Sequence, residues 1–265
     1  MIRTIDLFCG AGGSSWGAQQ AGVEIVAAFD SWVLAGENHH ANFPDARFYP
    51  TRLEDVSISE VRKDLGHIDL ILASPECTNH SPAKGNKVRC EESKNTAFQV
   101  IRFASELTPR WIVIENVVNM RRWLRYKEFK EELKGLGYHL REQVLDSSDF
   151  GVSQSRRRLF LLCDNQRMPD PTPIIPGRKK TVRSIINLNG VYRWSPLRTE
   201  RRAAATLERA DRGIKEVGAK KPFLLVYYGS DHAGGWQKLS RPLRTLTNLV
   251  RFAVVKPSTR VRHPR

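Results

Sequence analysis

The sequence predicts an α/β protein built on a doubly wound, mostly parallel sheet. Two observations carry this. Short apolar runs rich in β-branched residues recur at 4–8 (TIDLF), 24–30 (EIVAAFD), 69–74 (DLILAS) and 111–116 (WIVIEN). Between them lie stretches with helical spacing, at about 14–21, 31–42, 57–65 and 94–107. Strands apolar on both faces that alternate with helices belong to a parallel sheet covered on both sides.

Each later element follows from the same signals. RYKEFKEELK, 125–134, reads as a helix stopped by Gly135 and Gly137. YHLREQVLD alternates with period two and RRLFLLC is an apolar run, so both read as further strands closing the sheet. The proline-rich stretch DNQRMPDPTPIIPGRKK reads as a domain edge. We therefore expect a catalytic and cofactor-binding domain at 1–170. A small, irregular region follows at 171–240, with one basic helix near 199–217 and an apolar run, PFLLVYYG. Residues 241–265 are expected to begin a return to the first domain.

The chain has 265 residues, with 43 Lys and Arg against 28 Asp and Glu, a formal charge of +15. Such a surplus favours a polyanionic partner, with nucleic acid first. No apolar run is long enough to span a bilayer, and the N-terminus lacks the pattern of an export signal, so a cytoplasmic protein is expected. None of the four cysteines, Cys9, Cys77, Cys90 and Cys163, forms a C-x-x-C pair, so no metal site is expected.

The candidate site lies where a sheet of this kind binds ligands, off the carboxyl ends of its strands. DLFCGAGG places Gly10, Gly12 and Gly13 between a strand and a helix, where glycine lets a ligand approach the backbone. The spacing is neither the dinucleotide fingerprint nor a Walker loop. Asp30 ends the next strand, where an acid can accept from ribose hydroxyls, and Asp55 precedes the DLILAS strand within reach of an adenine amino group. Each acid alone also reads as a helix cap; together with the glycines they favour an adenosine-containing ligand.

Cys77 follows the strand DLILAS in a polar segment without regular pattern. Glu115 lies near the end of WIVIEN and is expected to point towards the same crevice. QSRRRLF supplies Gln154, Arg156, Arg157 and Arg158, and strand alternation sends Arg156 and Arg158 to one side. A thiol, a carboxyl, arginines, an adenosine cofactor and a polyanion together suit alkylation of a pyrimidine. Carbon 5 of cytosine is a poor nucleophile until a thiolate adds at carbon 6.

These motifs, DLFCGAGG, SPEC, ENV, QSRRR and RPLRTLT, occur in the order of the DNA (cytosine-5)-methyltransferase family, which the chain resembles over about 6–247. The resemblance implies a methyltransferase variant of the doubly wound fold, with S-adenosylmethionine as methyl donor and DNA as partner. It implies Cys77 as nucleophile, Glu115 at the ring nitrogen, and Arg156 and Arg158 in the substrate site. Phe8, Gly10, Gly12, Gly13, Asp30 and Asp55 would line the cofactor. Asn116, Gln154, Arg241 and Thr245 would support the substrate loop. Region 171–240 falls where the family reads its target, and a prokaryotic or phage source with a restriction system is implied.

Two departures stand out. The family has proline directly before the cysteine, where this chain has Glu76, a negative charge that raises a neighbouring thiol's pKa. The family's closing glycine-asparagine segment, which holds the methionine part of the cofactor, is not found after RPLRTLT. A second chain supplying that motif is one expectation that follows. Two other functions remain open at this point: a methyltransferase-like protein, or half of a split enzyme, that binds DNA without turnover, and the same chemistry on RNA.

Overall fold

The computed structural model describes residues 1–76, 96–174, 177, 179–189, 193–227, 234–246 and 251–256. Cys77, Cys90 and the polar segment between them lie outside the described residues. The chain divides into two compact units, the first formed by 1–145 and 157–173, the second by 146–156 and 174–265.

In the first unit seven strands form one sheet: β1 (Arg3–Leu7), β2 (Glu24–Phe29), β3 (Arg47–Tyr49), β4 (Leu70–Ala73), β5 (Trp111–Asn116), β6 (His139–Asp146) and β7 (Arg157–Asp164). Their order is β3-β2-β1-β4-β5-β7-β6. β1 pairs parallel with β2 and β4, β2 with β3, and β4 with β5; β7 alone is placed antiparallel against β5. The chain winds outward from β1 to β3 and then restarts on the other side of β1 with β4. Such a switch point opens a crevice at the carboxyl ends of β1 and β4.

The strand residues divide between two faces. Ile5, Leu7, Ile71, Ala73, Ile112 and Ile114 bury against one helical layer. That layer is α3 (Ile58–Leu65), α4 (Phe98–Leu107) and α5 (Tyr126–Gly135). Each presents one apolar stripe at helical spacing: Ile58 and Val61; Val100, Phe103, Ala104 and Leu107; Tyr126, Phe129 and Leu133. Ile25 and Leu72 bury on the other face with Phe43, beside α1 (Gly13–Gln20) and α2 (Val33–Asn42). The expected doubly wound α/β architecture is thus present.

β3 was not expected. It is three residues long, sits at the sheet edge, and carries too little apolar sequence to register. Its presence means that Asp55 follows a strand and leads into α3.

In the second unit, β8 (Phe223–Val226) pairs antiparallel with β9 (Trp236–Lys238) and β10 (Phe252–Val255). Residues 252–255 therefore complete this small sheet. Helix α6 (Ala204–Val217) packs on β8. A Cβ at Gly213 would lie 2.2 Å from the Phe223 ring, so the close approach of helix and strand requires glycine there.

A candidate active site at the carboxyl edge of the sheet

β1 ends in a sharp turn. Phe8 takes a φ of 58°, in the left-handed region that costs a side chain about 1–2 kcal/mol. The Cys9 amide then donates to the Phe29 carbonyl at the end of β2, and the Gly12 amide to Cys9. Gly12 has a φ of 89° and is the N-cap of α1. The three glycines differ in their surroundings. A Cβ at Gly12 would meet Phe43 at 2.7 Å and His39 at 3.0 Å, whereas nothing lies within 4 Å of one at Gly10 or Gly13. The loop is packed from below at Gly12 and open at the other two.

Asp30 sits beside this loop. One carboxylate oxygen accepts from the Gly10 amide and the other from the Trp32 amide, each at 2.9 Å. Each oxygen retains a second lone pair, so the acid fixes the loop and can still accept from a ligand hydroxyl. With the first amides of α1, which no preceding turn satisfies, this donor and acceptor set fits a nucleoside carrying vicinal hydroxyls. Asp55 lies exposed on the turn Leu53–Asp55 beyond β3.

On the other side of the switch point, Asn116 is buried at the end of β5. Its side-chain amide donates to the Pro75 carbonyl at 3.0 Å, and its side-chain oxygen accepts from the Val117 amide at 2.8 Å. The exit of β4, two residues before Cys77, is therefore tied to β5. Asn116→Ala would leave both backbone groups without these partners. It is expected to cost about 1–3 kcal/mol of stability, measured by denaturant unfolding; an unchanged midpoint would remove the tie.

Glu115, one residue earlier, faces the opposite side of the strand. Its Oε1 lies 2.8 Å from Nε of Arg158. Phe160 pairs directly with Glu115 across β5 and β7, and Arg158, two residues along β7, reaches it diagonally. β7 begins at Arg157, so the alternation expected to align Arg156 with Arg158 does not extend to Arg156.

Arg156 belongs to the second unit, with Gln154, Arg241 and Thr245. Asp146 organises that segment: it accepts from the amides of Ser148 and Arg156 and from the Ser155 hydroxyl. Those donors hold its carboxyl below the usual range against the opposing effect of burial. Gln154 bridges to Leu243, the Ser155 amide donates to the Leu243 carbonyl, and the Thr245 hydroxyl donates to the Ser155 carbonyl. The Arg241 carbonyl accepts from the Val182 amide. QSR and PLRT, far apart in sequence, thus run side by side.

Sequence reasoning missed Asp146, and also Asp6, a fully buried acid in β1 bonded to Ser15. The signal for Asp6 was an acid inside the apolar run TIDLF. The two described cysteines are poor nucleophiles. Burial pushes the Cys9 thiol far up and the Cys163 thiol to about 12, so both stay protonated at neutral pH. No group of three potential metal ligands occurs among the described residues, and no described helix is long and apolar enough to cross a membrane.

Sheet order, switch-point loop and paired carboxyl and guanidinium define an α/β protein of the methyltransferase class. The family model of C-5 cytosine-specific DNA methylases matches residues 2–207, and the chain belongs to that family. It is 30% identical to the type II methyltransferase M.HgiDI of Herpetosiphon aurantiacus over 92% of this chain and 80% of that one. It is 33% identical to the type II methyltransferase M.AgeI of Thalassovita gelatinovora over 65% of this chain, which is 42% of that protein's length. The fold is also that of the DNMT2 protein of Spodoptera frugiperda, with a TM-score of 0.59 at 23% identity, covering 72% of this chain and 61% of that one.

Proposed function

We infer that the chain transfers a methyl group from S-adenosylmethionine to carbon 5 of cytosine in a specific DNA sequence, through a covalent adduct at Cys77. The observation that supports this best is the Glu115–Arg158 pair at the edge where Asn116 holds the exit of β4 towards Cys77.

The chemistry assigns a task to each group. The Cys77 thiolate adds to carbon 6, forming a C–S bond. The electron pair of the 5,6 double bond shifts towards carbon 5, and Glu115 holds or supplies a proton at the ring nitrogen. Arg158 fixes the Glu115 carboxyl, and the arginines bind the adjacent ring carbonyl oxygen, where charge builds. S-adenosylmethionine supplies an electrophilic methyl group. Loss of the carbon 5 proton to a base then re-forms the double bond and expels the thiolate. Reaching carbon 6 inside a duplex requires the target ring to be flipped out.

Phe8, the glycines, Asp30 and Asp55 are assigned to the cofactor, and region 171–240 to reading the target. The likeness to type II methyltransferases supports a role as the modification half of a restriction system. Labelled methyl transfer tests the reading: 5-methylcytosine in DNA is expected, and label in RNA alone would overturn it. The charge of +15 also has a measurable consequence. Affinity for DNA is expected to fall about a thousandfold or more between about 50 and 200 mM salt, because each neutralised phosphate releases a counterion. A flat salt dependence in a filter-binding assay would contradict a phosphate-dominated interface.

A further inference from the structure

The helix behind the glycine loop has an unusual beginning. Gly12, its N-cap, has no side chain to cap with, and its first turn contains no acid. A helix start needs partners for its first amides. Here one comes from the adjacent strand. Asp6 of β1 accepts through a single carboxylate oxygen from the Ser15 amide, at 3.1 Å, and from the Ser15 hydroxyl, at 2.7 Å. The hydroxyl has only one proton. With that proton on the bond to Asp6, its oxygen accepts from Nε2 of His39, 3.2 Å away, which fixes the tautomer of a neutral ring. All three side chains are fully buried. The chain of bonds then returns to the loop, because the His39 ring is one of the two groups that exclude a side chain at Gly12. His39 is itself packed on Phe43, with ring centroids 4.7 Å apart.

We propose that Asp6, acting through Ser15 and His39, is a positioning residue for the methyl-donor loop: a helix cap supplied by a neighbouring strand that holds Gly12 to Ser14 in their binding geometry. This rests on the assignment of the glycine loop to S-adenosylmethionine given above. Asp6 touches neither ligand nor substrate. Its effect is on where the open amides of α1 point.

The arrangement also predicts a response to pH. The second oxygen of Asp6 is buried and has no hydrogen-bond partner. Burial raises the carboxyl to about 6, with Asp30 across the loop adding to the rise. The other ionisable groups beside it are the Cys9 thiol, whose proton stays on, and His39 of α2; α1 contributes none. As pH falls through about 6 the cap loses its charge and its hold on Ser15 weakens. The sign for stability is opposite. A carboxyl raised in the folded state binds protons there before it does in the unfolded chain, so its contribution to stability grows as pH falls through the same range. Affinity and stability therefore move in opposite directions, which a purely structural acid would not produce.

Titration calorimetry with S-adenosylhomocysteine on the full chain, at about pH 5 and about pH 7.5, tests this alongside thermal unfolding. Asp6→Asn and Ser15→Ala are expected to weaken binding about tenfold at the higher pH, the loss of one charge-assisted hydrogen bond. The parent should bind more weakly at the lower pH while Asp6→Asn shows no such step. His39→Gln should keep the step, which separates Asp6 from the histidine. If Asp6→Asn does not fold, Ser15→Ala carries the test. Parent-like binding by Ser15→Ala, or a step that survives in Asp6→Asn, overturns the proposal. A parent that does not bind the nucleoside removes the assignment of the loop, and this inference with it.

Discussion

A duplex carrying 5-fluorocytosine at the target position is expected to trap this chain as a stable covalent adduct, and Cys77→Ser is expected to give none. Fluorine at carbon 5 cannot leave as a cation, so the cycle stops after methyl transfer with the C–S bond intact. Serine at the same position is a far weaker nucleophile at neutral pH, and loss of the attacking group from a concerted site costs on the order of 10⁴-fold or more in turnover. The buried thiols of Cys9 and Cys163 cannot substitute, because burial keeps their protons on. Cys90→Ser is the control and should trap like the parent. An adduct of equal yield from Cys77→Ser, seen as a shifted band on a denaturing gel, would remove Cys77 from the mechanism.

The second large effect is expected at the carboxyl and its guanidinium. Glu115→Gln keeps the shape and loses the acid, so single-turnover methyl transfer should fall about 10²–10⁴-fold, the usual range for a general acid, with little change in DNA affinity. Arg158→Lys keeps a charge but loses the planar fork that holds Glu115 through Nε, and should recover only part of the activity lost in Arg158→Ala. Full activity in Arg158→Lys would mean that charge alone is required. Glu115→Gln within about threefold of the parent would end the assignment of the acid.

Much of this fold was legible because parallel strands buried on both faces are written as unbroken apolar runs. TIDLF, EIVAAFD, DLILAS and WIVIEN became β1, β2, β4 and β5 with boundaries shifted by a residue or so. β3 was not legible, since Arg47, Phe48 and Tyr49 form an edge strand too short for any period. The second unit was only partly legible. Its strands are three or four residues long, and only β8 is buried throughout. The basic helix expected from about 199 starts at Ala204, after a turn closed by the Arg202 amide on Thr199. At the candidate site, motif order pointed to Glu115, Asn116 and Arg158, and the structure sets Arg158 on Glu115 and Asn116 on Pro75. What no local pattern could reveal were partners distant in sequence: Asp6 for Ser15 and His39, or Asp146 for Arg156.

The makeup of the second unit bears on how such chains could exchange it. It is not one continuous insertion: it takes Asp146–Arg156 from the turn between two strands of the large sheet and joins it to everything after Pro173. A chimera spliced at the proline-rich edge alone would import a foreign partner for Gln154 and Ser155 in place of Leu243 and Thr245. Three crossovers, one on each side of the 146–156 turn and one near 174, transplant the module with its own hydrogen bonds. A single crossover near 174 would thus pair a new segment with an old 146–156 turn and leave a mismatched seam beside Arg156.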